Sequence, residues 1–213
     1  MSWLVDGIRY LVKGGPVMLP LLVCAVVSIA VMIERFVFIT RAGRDSDALL
    51  TAIREQLQLG RVDEAIQRAE SSPGPVAQLL ASGLRNSRLD VGAVERKMEE
   101  LALRETPVLT QRLGVLDTII TLSPLLGLLG TVTGMIKSFN IIGLTGLNGP
   151  TAITGGVAEA LIATASGLAI AIVTLVGYNY LTEKVKQIMA DMEIRATQLL
   201  NILADLRMAE SAP

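Results

Sequence analysis

The chain has no histidine, one cysteine and few aromatic residues, which make up 3% of its 213 residues. Without histidine there is no imidazole to ligate a metal or to exchange protons near neutral pH. One cysteine, Cys24, excludes an internal disulfide and a thiolate metal cluster. It lies in an apolar run and reads as a small core residue. Leu21-Leu22-Val23-Cys24 has the outline of a lipoprotein cleavage box, but Val23 is bulky where a small side chain is required. Charge is scarce too, at 18% of residues with a net charge of −1, so there is no basic surface for nucleic acid. No nucleophile–base pair, phosphate-cradling loop or metal cluster stands out. The expectation is therefore a non-enzyme with no cofactor and no metal. What fills the chain instead is apolar sequence: 51% hydrophobic residues and a mean hydropathy of +0.54, too oily for an ordinary soluble domain.

Taken in order, residues 2–13 put Leu4, Ile8 and Leu11 on one helical face, with Trp3 and Tyr10 suited to a headgroup boundary. A short helix lying on a membrane surface is expected over 1–15, with a disordered terminus as the alternative. Residues 16–39 are long enough to cross a bilayer, which takes about twenty residues. This first span is Val-, Ile- and Leu-rich, suits a lipid-facing position, and lacks a signal-peptide cleavage site.

Composition changes over 40–112, where eleven Lys/Arg accompany eleven Asp/Glu in helix-forming sequence. Asp47 can cap a helix carrying Leu50, Ile53 and Leu57 on one side. A second helix holds Val62, Ala65, Ile66 and Ala69, closed by Ser71–Pro75, and a third runs from about Val76 to Arg85. Asp90 starts a long fourth helix with Val91, Val94, Met98 and Leu101 apolar, and Glu100–Arg104 in a favourable i,i+4 order. Pro107 should kink or interrupt that helix rather than end it, because apolar sequence resumes directly. The charges read as solvated faces.

Residues 113–139 and 151–182 are the second and third spans, joined by the uncharged, glycine-rich turn 140–150. Both carry small and hydroxylated residues where a plain anchor would carry leucine. In the second span, Asp117 lies near the first turn and Lys137 near the last. Between them come Thr131, Thr133 and the Gly130/Gly134 pair, whose spacing permits close helix approach. The third span holds one carboxylate, Glu159, about two turns inside. Ala163, Ser166 and Ile170 follow on its face, with Thr164 beside it and Gly167 thinning the helix. Hydroxyls and acids at this depth usually face protein or a wet cavity. Beyond 182, Val185, Ile188, Met192, Leu199, Ile202 and Leu206 keep a heptad-like spacing broken by Arg195, so the helix should run on into an assembling cytoplasmic bundle.

The basic residues decide orientation. Eleven lie in 40–112, four in 183–213 and none in 140–150, which places the large loop and the tail in the cytoplasm and the amino terminus outside. Arg9 and Lys13 weakly oppose this. The fold class is thus an all-α membrane protein with three transmembrane helices and long cytoplasmic helical extensions.

Two motifs carry a family resemblance. Pro124–Val132 (PLLGLLGTV) and Ala158–Ala165 (AEALIATA), the latter followed by Gly167-Leu168 and Tyr178-Asn179, resemble the MotA/TolQ/ExbB proton-channel family. Glu34-Arg35 after the first span is similar to its ExbB/TolQ branch, and three spans rather than four argue against MotA. The resemblance covers nearly the whole chain. It implies a pentameric ring in a bacterial inner membrane, whose second and third spans surround the single-span helices of an ExbD/TolR-like dimer. It also implies that proton flow drives relative motion, passed to a TonB- or TolA-like periplasmic effector. By motif, Glu159 matches the family's third-span glutamate, and Thr131 and Thr164 match the threonines of its proposed ion path. Two departures stand out: Val173 where a proline is frequent, and Gly155-Gly156 where Pro-Gly is common.

Alternatives remain open at each residue. Glu159 is either part of an ion path or an inter-subunit hydrogen-bonding group. Thr131 and Thr164 either wet a path or bond back to their own helix. Asp117 is a pore-mouth residue or a helix-start charge. Thr133 and Ser166 are further pore-lining candidates, and Gly130, Gly134 and Gly167 are helix-packing candidates. With no second carboxylate near mid-membrane, a switching acid is expected on the partner. For the protein as a whole, the alternative to an ion-driven energiser is a non-conducting scaffold around a partner helix.

Overall fold

A computed structural model describes residues 14–43, 46–145 and 150–211, the side chains of 141–145, 150–153 and 209–211 excepted. The surface helix expected over 2–13 lies outside the described residues. All regular structure among those described is helical: α1 Met18–Ala42, α2 Ser46–Gln58, α3 Val62–Glu70, α4 Pro75–Arg85, α5 Val91–Thr110, α6 Leu113–Thr145 and α7 Pro150–Ser211. Three helices are long and apolar enough to cross a membrane, and only 22–28% of their apolar windows is buried within the chain. So much exposed apolar surface needs lipid or further protein to cover it.

The chain divides into two compact units, Met1–Glu34 with Arg112–Tyr180, and Arg35–Gln111 with Leu181–Pro213. In the first, the start of α1 packs on α6 and α7. Val17, Met18, Leu21 and Ala163 are buried together, with Leu126, Ile162 and Ile170 against them. Helix α6 passes through Pro124 without ending, and continues to Thr145, beyond the span end anticipated at Phe139. Residues 146–149 lie outside the described ones. Pro150 opens α7, where its fixed φ and missing N–H suit the first helical turn.

The second unit buries the apolar stripes of four short helices against the tail of α7. Ile53, Ala65, Leu80, Leu84, Val94 and Leu199 are fully enclosed. Asp90 accepts a hydrogen bond from the Gly92 N–H at 3.1 Å and so caps α5. Pro107 does not break α5 at once. The helix ends at Thr110, and the chain turns where Arg112 takes φ +64°. Arg35, buried at 3% exposure, donates to the Val108 carbonyl at 3.2 Å and to Gln111 Oε1 at 3.4 Å. It thereby satisfies a carbonyl that the ending helix leaves without an N–H. Glu100 bonds Lys97 at 3.2 Å and Arg104 at 2.5 Å.

Two expectations change here. Asp47 sits in the first turn of α2, but its carboxylate pairs with Arg195. That pairing explains the heptad break: Arg195, 14% exposed, also meets Asp191 at 3.1 Å and Gln198 at 2.8 Å. The tail stripe, read as an assembly surface, is largely spent inside the chain. Val185, Ile188, Met192 and Leu199 are buried and Ile202 and Leu206 half-buried, and Arg207 donates to the carbonyls of Ser87 and Leu89.

Candidate ion-path site

Helices α6 and α7 run antiparallel and nearly touch, because small residues line the seam. A Cβ added to Gly127 would stand 3.0 Å from Thr164 Cα, and one on Gly134 would stand 2.8 Å from the Gly156 carbonyl oxygen. One on Gly130 would overlap the Ala163 methyl, and one on Gly167 the Ser123 carbonyl oxygen. The three glycines picked out for packing therefore all lie where the backbones approach. Side chains larger than hydrogen would part the helices.

The hydroxyls divide into two kinds. Thr164 crosses the seam, its Oγ1 donating to the Gly127 carbonyl at 3.0 Å. Thr131 bonds back to Leu128 of its own helix at 2.6 Å, and Thr133 to Leu129 at 3.0 Å. Such back-bonds satisfy a hydroxyl in an apolar medium without any outside partner. Ser166 is half-buried, while Asp117 and Thr133 are exposed within the lone chain. Ser123 is fully buried at the seam, its Oγ without a hydrogen-bond partner.

The Glu159 side chain is 15% exposed. Its Oε2 accepts a hydrogen bond from Lys137 Nζ at 2.8 Å. Its other oxygen, Oε1, lies against Gly15, which holds φ +75° and where any Cβ would overlap the carboxylate. Charges set among apolar helices persist where an opposite charge neutralises them. The site thus unites α6, α7 and the residues just before α1.

Lys137 and Gly15 are the partners that reading the sequence missed. In the sequence Lys137 reads only as a charge near a span end, and Gly15 only as the last residue of the 1–15 segment. The signal for the lysine is faint: the seam contacts Gly127–Thr164 and Gly134–Gly156 set Glu159 level with about Thr131, so Lys137, further along α6, reaches it only by its long side chain. Gly15 carries no comparable signal, because its contact joins segments far apart in the chain.

Three apolar spans with an acid–base pair held between two of them define a multi-pass membrane protein. Residues 71–194 match the family model described as the MotA/TolQ/ExbB proton channel family, and the chain belongs to that family. It is 29% identical over 174 residues to an ExbB homolog of Methanothermobacter thermautotrophicus, a match covering 81% of this chain and 62% of the relative's length. It is 30% identical over 168 residues to the ExbB-like 3 protein of Synechocystis, covering 78% and 80%. The biopolymer transport protein ExbB of Neisseria meningitidis is 27% identical over 204 residues, covering 88% and 92%. These relatives place the chain in the ExbB-like branch, a family of transport and channel components rather than enzymes.

Proposed function

We propose that this protein is an inner-membrane proton-channel and motor subunit. With an ExbD/TolR-like single-span partner, it would convert proton motive force into mechanical work for outer-membrane transport or envelope maintenance. The observation that carries the reading is Glu159, a carboxylate held 15% exposed in a membrane-spanning helix of a proton-channel family member. Intramembrane ionisable groups that are retained at such cost commonly mark ion routes.

In this reading the unit containing α6 and the first part of α7 is the membrane portion, and five copies close a ring around the partner's helices. Residues 40–112 and 183–213 are cytoplasmic, and the 140–150 turn faces the periplasm. Thr164 and Thr131 flank the path, and Asp117 lies at its cytoplasmic mouth. Ser166 and Thr133 also line it. The periplasmic effector is TonB- or TolA-like.

A second reading, a non-conducting scaffold around a partner helix, draws on one specific observation. Thr131 and Thr133 are hydrogen-bonded to their own helix, and Thr164 is engaged at the helix seam. The test is a cell carrying Glu159→Ala in a complex shown by co-purification to be fully assembled. The motor reading expects loss of gradient-dependent, partner-dependent work, to the level a protonophore produces in the wild type. Full activity in that assembled complex would leave the scaffold standing.

A further inference from the structure

Lys137 is the feature of this site that the motor reading leaves unused. Its side chain is 61% exposed in the lone chain, yet its ammonium is set on a carboxylate that is 15% exposed. Each oxygen of that carboxylate has a close neighbour. Gly15 lies against Oε1, in a positive-φ conformation and with no room for a Cβ, while Lys137 holds Oε2 at 2.8 Å. A mobile cation approaching Glu159 therefore meets an ammonium already in the place it would take. The pair also carries no net charge, so several copies around a lumen would not repel one another through Glu159, as bare carboxylates would.

We propose that Lys137 is a tethered stopper for the Glu159 site, its ammonium occupying the position of a permeant cation so that the chain without its partner stays closed to cations. The inference rests on Glu159 belonging to the ion path. It adds that selectivity and closure at that point are set by a residue of the preceding span.

The test uses the full chain alone in phospholipid vesicles with an internal pH dye and a valinomycin-set potassium diffusion potential. Wild type and Lys137→Arg should pass protons at the same low rate. Lys137→Ala and Lys137→Gln should raise the rate at least about tenfold, the change that follows when a barrier falls by about 1.4 kcal/mol. Adding Glu159→Gln to Lys137→Ala should return the rate to the wild-type level, because no carboxylate remains to attract a cation. External ethylammonium should block Lys137→Ala and leave the wild type unchanged, an effect that mere loosening of the helices would not produce. Tight vesicles with both lysine variants, or a leak that persists after Glu159→Gln, would overturn the stopper. Failure of the underlying reading looks different, because Glu159→Gln would then leave partner-dependent work in cells intact.

Discussion

Gly167→Ala offers a direct probe of the α6–α7 seam. The added methyl would overlap the Ser123 carbonyl oxygen and stand 3.2 Å from Gly127 Cα. Neither neighbour is the free end of a flexible side chain; both are helix backbone. Restoring ordinary contact, near 3.5 Å for carbon, requires α6 and α7 to part by roughly 1 Å. Overpacking of this kind costs about 1–3 kcal/mol. The same movement stretches the Thr164–Gly127 hydrogen bond, less than one turn away, and interhelical bonds in membranes average about 0.6 kcal/mol. Against these stands the gain of about 1 kcal/mol from replacing glycine by alanine in a helix. Gly114, with open space around its Cβ position, isolates that gain. Gly167→Ala should therefore fall about 2–3 kcal/mol below Gly114→Ala in unfolding followed by circular dichroism in mixed micelles. Equal stability of the two variants would refute the close-approach argument.

Further outcomes follow from the same geometry. Thr164→Val should lose about 0.6 kcal/mol in that assay, with Thr164→Ser retaining it, while Thr131→Val changes little because its hydroxyl bonds its own helix. Arg35→Met should cost about 1–3 kcal/mol by leaving the Val108 carbonyl unpaired, and Arg35→Lys should not restore it, since an ammonium cannot reproduce the guanidinium fork. The Glu100 carboxyl is held below its usual range by its hydrogen bond to Lys97 and by the charges of Lys97 and Arg104. Its small contribution to stability is thus present above the ordinary carboxylate range and fades as pH falls through the lowered value. Carbon-detected NMR titration should show Glu100 moving upward in Lys97→Met, and no movement would contradict the cause given.

Much of this architecture could be read from the chain, and the reasons differ by element. The long apolar runs and the Asp90 cap are local signals, so three long apolar helices form and α5 starts at its cap. The glycines Gly130, Gly134 and Gly167 also announce close packing by spacing and density alone. Arg195 was legible only as a heptad break, because its partner Asp47 lies on another helix. The tail stripe likewise could not reveal whether its cover would come from this chain or from another. Hydrophobic periodicity specifies that a face is buried, not what buries it. At the site, Glu159 stood out as a lone acid in apolar sequence, whereas the bond directions of Thr131 and Thr164 depend on rotamers that no pattern encodes.

The proposed role of Glu159 is to pass protons when this chain is joined to its partner. Proton flux through the co-purified complex in vesicles under an imposed potential, compared between wild type and Glu159→Ala at matched protein content, tests it. A potential-driven proton flux should appear in the wild-type complex and fall to the level of empty vesicles in the variant. An assembled Glu159→Ala complex conducting protons as well as the wild type would contradict it.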